Sequence, residues 1–127
     1  MPNYVDGFVL PVPTKNLAAY RKMASVAAKV WIEHGALDYR ECVGEDLAVK
    51  FGVPFTTLAG SKKGETVVFA WITYKSRAHR DRVNAKVMKD PRLKCDDTDP
   101  KKMPFDCARM GYGGFTTLVS ARAEGSP

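Results

Sequence analysis

The sequence contains few cysteines and no long apolar run, and both shortages narrow the class of protein. Its three cysteines, Cys42, Cys95 and Cys107, are odd in number and lack the spacing of a metal site. Reduced thiols in a cytoplasm fit them better than a disulfide framework. No apolar run approaches the roughly 20 residues that a helix needs to cross a bilayer, and the N-terminus lacks the basic start and apolar core of a signal peptide. We therefore expect a cytoplasmic protein with no membrane span.

The sequence also lacks the motifs that mark nucleotide, metal and nucleophile sites. Gly111, Gly113 and Gly114 are not followed by the lysine and hydroxyl residue of a phosphate loop, and they do not open a predicted helix. The acidic residues of segment 96–106 do not follow the order of a calcium-binding loop. We expect no cofactor and no bound metal, and it stays open whether the protein is an enzyme.

The length and composition predict one globular domain. A chain of 127 residues with 45% hydrophobic and 27% charged residues is long enough for a real core and has ordinary proportions for such a domain. We expect a single domain over residues 1–127, with 124–127 as a loose tail.

The positive charge is concentrated in one stretch. The net charge is +6, and residues 75–94 hold eight Lys and Arg residues against two Asp residues, so this stretch carries the whole excess. A solvent-exposed helix face explains it without a ligand. An anion, either a ligand or a carboxylate from elsewhere in the fold, would explain why Arg77 and Arg80 stand where the helix dipole disfavours cations. Aromatic residues are not interleaved with the basic ones, so we do not expect nucleic-acid binding.

Residues 65–75 predict the strand around which the chain is organised. β-Branched and aromatic residues dominate 67–74, as is typical of a strand. Val67, Phe69 and Trp71 fall on one face, and the other face is equally apolar. A strand that is apolar on both faces is covered on both. The helices of the chain can cover one face. A second copy of the protein is the simplest cover for the other, although a larger core within one chain would also serve.

The predicted elements follow the order strand, helix, strand, strand, helix, strand. They span residues 4–12, 14–34, 36–43, 65–75, 76–89 and 112–121. This order indicates the ferredoxin-like βαββαβ arrangement, an α+β fold with a four-stranded antiparallel sheet and two main helices on one face. Two long connections, 44–64 and 90–109, are unusual in a compact domain and are expected to be functional or part of an interface.

The first and last strands carry residues that are unusual in a strand. Asp6 is a charge in an apolar segment, and we expect it to bond a neighbouring loop or to partner an arginine. Pro11 and Pro13 lack an amide hydrogen, so regular pairing is expected to end there. The glycines at 111–114 indicate a bulge or the close approach of a bulky group.

Several segments resemble the YbaA-like family of uncharacterised bacterial proteins. They cover residues 4–13, 34–37, 64–69, 76–81, 83–88, 102–106 and 112–115. Among them are Tyr-Val-Asp-Gly-Phe-Val-Leu-Pro-Val-Pro at 4–13 and Ser-Arg-Ala-His-Arg-Asp at 76–81. The resemblance spans nearly the whole chain. It implies the dimeric α+β barrel superfamily, in which two sheets face each other. The family is a domain of unknown function, so the resemblance implies no reaction.

The start of the second long helix is the first candidate site. His79 lies in its first turn on the sheet-facing stripe. There the positive end of the dipole favours a neutral imidazole that can accept a proton or a hydrogen bond. Arg77 or Arg80 could hold a carboxylate, and Trp71 and Tyr112 could form an aromatic wall. The hypothesis is a homodimer that binds or transforms a small anionic or aromatic molecule there, with His79 as the candidate catalytic residue.

Two further residues, His34 and Tyr39, are secondary ligand-binding candidates. A histidine near a helix C-terminus ordinarily serves the free carbonyls there. In the alternative hypothesis, His79 and Trp71 belong to the core, and the protein is a non-catalytic structural or regulatory dimeric module. The residues leave both hypotheses open.

Overall fold

The computed structural model describes residues 3–93 and 103–124. The strands are β1 (Tyr4–Pro13), β2 (Asp38–Val43), β3 (Glu65–Tyr74) and β4 (Gly111–Thr116), and the helices are α1 (Leu17–Glu33), α2 (Phe55–Leu58) and α3 (Arg77–Val87). Short 3-10 turns cover Thr14–Asn16, Pro91–Leu93 and Cys107–Arg109. Lys94, Cys95, the acidic residues of 96–99, Lys102 and the tail residues 125–127 lie outside the described residues.

The strands form one antiparallel sheet in the order β2-β3-β1-β4. β3 lies in the interior of this sheet and pairs with β1 along its whole length, from Tyr74 opposite Tyr4 to Glu65 opposite Pro13. The predicted ferredoxin-like α+β fold is therefore confirmed. α1 and α3 are its two main helices, and the short α2 lies in the first long connection.

Several strand limits differ from the sequence prediction, and the pairing explains those at the ends of β1 and β4. β1 continues through Pro11 and Pro13, because β4 pairs with β1 only as far as Val9 and no strand needs the missing amides beyond that point. β4 ends at Thr116 and not at residue 121, because its partner Tyr4 is the first residue of β1. Pairing thus stops where the neighbouring strand stops.

One face of the sheet carries the core beneath α1 and α3. Four of the residues of β3 that point to this face are each at most 4% exposed; they are Val68, Ala70, Ile72 and Tyr74. Ala24 of α1 belongs to the same cluster as Ala70, and the short side chains let the helix approach the sheet closely. Val83 and Val87 of α3 complete the second half of the core.

The opposite face of the sheet, called the open face here, is also apolar. By the strand register it carries Val5, Val9, Phe69, Trp71 and Phe115. Within the described residues no helix lies across its centre, and Phe69 and Phe115 are 45% and 62% exposed. The short helix α2 reaches one corner, where the Phe55 and Phe69 ring centroids are 5.9 Å apart.

An ion pair fastens the turn before β4 to the start of β3. The Arg109 guanidinium donates to the two carboxylate oxygens of Glu65, at 2.7 Å and 2.8 Å. The Lys62 backbone N–H donates to the same carboxylate at 2.7 Å. These donors, Arg109 first, lower the pKa of Glu65 from 4.5 to about 2.

We expect this ion pair to make stability depend on pH in the acid range. A carboxyl group with a lowered pKa in the folded state stabilises the fold above its unfolded pKa, and this contribution is lost as the pH falls through the folded pKa. Glu65→Gln should therefore flatten the fall in unfolding free energy between about pH 5 and about pH 2, measured by urea denaturation. Glu45→Gln, at an exposed carboxylate, should keep the wild-type slope. An unchanged slope in Glu65→Gln would contradict the assignment.

Candidate functional site

The start of α3 is built as a helix cap. The Ser76 hydroxyl accepts a hydrogen bond from the His79 backbone N–H at 3.1 Å, as the capping preference of serine predicts. The imidazole Nδ1 of His79 accepts a hydrogen bond from the Lys75 backbone N–H at 2.9 Å. The ring meets that of Tyr74 edge-on, with centroids 5.9 Å apart. His79, the candidate catalytic residue, is half-buried, and its Nδ1 is occupied by the backbone N–H of Lys75.

Arg80 forms its ion pairs inside the chain. It donates to Asp6 Oδ1 at 2.7 Å and to Asp81 Oδ1 at 2.8 Å, and its guanidinium lies 5.0 Å from the Tyr4 ring centroid. Asp6 is 5% exposed, and burial raises the pKa of its carboxyl group while Arg80 opposes that effect. The expectation that Asp6 partners an arginine is confirmed. The anion expected beside Arg80 at this helix start is therefore Asp6, a carboxylate of β1.

The other residues predicted for this site do not come together. Arg77, the first residue of α3, is exposed. Trp71 lies on the open face beside Phe69, with ring centroids 5.3 Å apart. Tyr112 lies on the helix-covered side, stacked on Phe8 at 6.1 Å. An aromatic wall of Trp71 and Tyr112 is not formed within one chain, because the alternation of side chains along the strands puts them on opposite faces.

His34 joins the end of α1 to the segment after α3. Its Nε2 lies 2.8 Å from Asp90 Oδ2, and the same carboxylate accepts a hydrogen bond from Arg92 at 2.7 Å. Arg92 first, and then His34, hold the pKa of Asp90 well below its usual range. The sequence pattern associates this histidine with helix carbonyls, whereas in the structure its imidazole contacts a carboxylate.

A groove between α1 and β2 forms a cavity of about 460 Å³. It contains Glu41, which is half-buried and whose two oxygens each accept a hydrogen bond from a tyrosine. The Tyr20 hydroxyl donates to Oε1 at 2.7 Å, and the Tyr39 hydroxyl donates to Oε2 at 2.7 Å. Other lining residues include Leu17, Arg21, Ala24, Ala28, Val43 and Val68.

Both tyrosine hydroxyls remain hydrogen-bond donors. Burial is the main cause that raises the pKa of Tyr20 and of Tyr39 well above the usual value, and the Glu41 carboxylate adds to it. Of these three groove residues, the sequence pattern singles out Tyr39 as a ligand-binding candidate, but neither Glu41 nor Tyr20. Glu41 itself carries the signal that could have found them. Together with Tyr39 and Val43, it lies on the helix-facing side of β2. A charged group on that side needs hydrogen-bond partners.

Several carboxylates elsewhere in the described chain face arginines. Ion pairs join Asp6 to Arg80, Asp90 to Arg92 and Glu65 to Arg109. In residues 3–93 and 103–124, no three side chains of His, Cys, Asp or Glu come together as a metal-binding group. Across these same residues, every helix is too short or too polar to span a bilayer.

Comparisons with known proteins agree with the resemblance in the sequence. Residues 3–107 match the model of a family described as "Protein of unknown function (DUF1428)". The "Uncharacterized protein YbaA" of Escherichia coli K12 and that of Shigella flexneri are each 43% identical over 116 residues, which is 91% of this chain and 97% of theirs. A crystal structure of a dimeric ferredoxin-like protein from an uncultured marine organism has a TM-score of 0.53 and 16% identity, and covers 97% of this chain and 100% of that one. This likeness shows the fold.

We expect His79 to matter for stability and not for ligand binding. His79→Ala removes the acceptor for the Lys75 N–H and the ring contact with Tyr74. The unfolding free energy should therefore fall by about 1–3 kcal/mol in urea denaturation. Arg77→Ala, at an exposed position of the same helical turn, is the matched control and should change it by less than about 0.5 kcal/mol. A His79→Ala protein as stable as the wild type would contradict the structural role.

Proposed function

The chain belongs to the DUF1428 family of proteins of unknown function, and we propose that it acts as a homodimer that binds a small molecule in the groove between α1 and β2 of each subunit. The observation that carries this proposal is the half-buried Glu41 carboxylate, held in the groove by two tyrosine hydroxyls. Ligand pockets are typically concave and mainly apolar, with a few placed polar groups and volumes of about 300–1,000 Å³. The groove, at about 460 Å³, has these properties.

The proposed ligand site is the groove and not the start of α3. There, Arg80 is paired with Asp6 and Asp81, and His79 accepts a hydrogen bond from the Lys75 backbone. Arg77 and Lys75 are still exposed, but exposed cations attract an anion only weakly in water. The anionic ligand predicted from the sequence therefore has less support than a ligand in the groove.

The homodimer is supported by the open face. Phe69, Trp71 and Phe115 present apolar surface on the side of the sheet opposite α1 and α3. Covering such surface stabilises a complex by roughly 25 cal/mol per Å² before the costs of association. A second copy with its own open face would supply the cover. The similar solved structure is described as dimeric, which supports the same assembly.

A charge placed on the open face should separate the dimer. Phe115 is 62% exposed and lies on this face, so Phe115→Glu should shift the mass in native mass spectrometry from two chains to one, because a buried unpaired carboxylate is costly. Met88→Glu, at a residue 70% exposed after α3, is the control and should stay dimeric. A monomeric wild type, or a dimeric Phe115→Glu, would rule out this interface.

Filling the groove should abolish ligand binding. Ala28 lines the groove, whereas Ala19 of the same helix is exposed and does not line it. Ala28→Trp should therefore remove the binding of fragments that wild type and Ala19→Trp retain. The measurement is ligand-observed NMR with a set of small aromatic amines, alcohols and acids. Equal binding by all three proteins would contradict the groove as the site.

A second candidate is the dimeric module without a ligand. The Tyr20 hydroxyl favours it as well, because its hydrogen bond to Glu41 ties α1 to β2. If this candidate holds, no fragment of the set binds wild type, and Ala28→Trp changes stability alone. The fragment measurement thus separates the two candidates.

A further inference from the structure

We infer that the ligand of the groove is an organic cation, an ammonium group on an aromatic or aliphatic body, and this inference rests on the proposed binding of a small molecule there. The groove contains one carboxylate and two tyrosine hydroxyls, all within one hydrogen-bonded cluster. Three properties of the groove select the ligand: the hydrogen bonding of this cluster, the charge of the cluster, and the apolar walls around it.

The hydrogen bonds within the cluster leave only acceptor lone pairs free, so they can bind only hydrogen-bond donors of a ligand. The single proton of each hydroxyl, on Tyr20 and on Tyr39, is directed to a Glu41 oxygen at 2.7 Å. A carboxylate offers acceptors alone, and a hydroxyl whose proton is engaged keeps only its lone pairs. A ligand must therefore bring donors. An ammonium group brings three donors and no acceptor.

The charge of the cluster also favours a cationic ligand. The partners of Glu41 are neutral hydroxyls, and no lysine or arginine of the described residues forms an ion pair with it. Within the described residues, no cation balances the Glu41 carboxylate, and in a half-buried place an opposite charge interacts with it more strongly than in water. This contrasts with Asp6, whose charge is balanced by Arg80 at 2.7 Å.

The walls of the groove suit an apolar body attached to the cation. Leu17, Ala24, Ala28 and Val68 supply aliphatic surface. The rings of Tyr20 and Tyr39 also line the groove, and aromatic faces attract ammonium groups. The groove volume of about 460 Å³ accommodates a molecule of the size of an arylalkylamine.

An anionic ligand is the alternative that Arg21 raises. Arg21 lines the groove and is exposed, so it can meet an anion only in contact with solvent. A ligand carboxylate deeper in the groove would face Glu41, and the engaged hydroxyls could not donate to it. The geometry therefore favours the cation.

Three probes with the same ring and different head groups test the inference: phenethylamine, 2-phenylethanol and 3-phenylpropionate. Each is titrated into the ¹⁵N-labelled wild-type protein, and binding is followed by amide shifts of groove residues such as Ala24, Ala28 and Val43. Phenethylamine should bind at least about tenfold more tightly than either other probe, since one charge-assisted contact distinguishes it. Glu41→Gln should remove this preference. Glu33→Gln, at an exposed carboxylate of α1, should retain it.

A second variant keeps the inference testable even if Glu41→Gln does not fold. Tyr39→Phe removes one hydroxyl donor to Glu41 and leaves the carboxylate, so phenethylamine should still bind more tightly than 2-phenylethanol and 3-phenylpropionate, whatever the change in its own affinity. Loss of the preference in Tyr39→Phe, or its persistence in a folded Glu41→Gln, would overturn the inference.

The outcomes separate this inference from the proposed function. Equal binding of all three probes in the groove, or tighter binding of 3-phenylpropionate, would overturn the cation and leave small-molecule binding in place. An absence of shifts at the groove residues with every probe would overturn both.

Discussion

Strand β3 is apolar on both of its faces, and the layers of the molecule follow from that constraint. Its residues at even positions, 68 to 74, pack beneath α1 and α3, which fixes both helices on one side of the sheet. Its odd positions Phe69 and Trp71 are left on the other side, which no helix crosses in the described chain apart from the corner that α2 reaches. A strand with two apolar faces is ordinarily covered on both, and the proposed dimer would supply the second layer.

Two carboxylates inside the molecule differ in how they are satisfied. Asp6 faces a guanidinium, so its charge is cancelled within the chain. Glu41 faces two hydroxyls, which satisfy its hydrogen bonds but not its charge. Among the described residues, every buried side-chain nitrogen or oxygen has a hydrogen-bond partner. The groove is therefore distinguished from the start of α3 by residual charge and not by unmet hydrogen bonds.

The sequence pattern predicts the fold well because its signals are local. The apolar run at 67–74, the cap at Ser76 and Pro91 after α3 identify a strand and a helix without knowledge of the rest. The site depends on pairings between distant positions. Arg80 and Asp6 are 74 residues apart, and Tyr20 and Glu41 are 21 apart. Such pairs are decided by strand register and by the docking of α1 and α3 on the sheet, which composition and spacing do not specify.

One of the glycines at the start of β4, Gly114, makes room for the side chain of Tyr4 from β1. Gly114 is exposed, yet the Tyr4 hydroxyl occupies the space that a Cβ at that position would need, which is the close approach that the glycines indicated. Tyr4 lies beneath the Arg80 guanidinium, which in turn pairs with the buried Asp6. Any side chain at position 114 would displace the ring and disturb the cation above it. A solvent-exposed position thus carries the steric constraint of an interior one, and solvent exposure alone misjudges which variants this chain can tolerate.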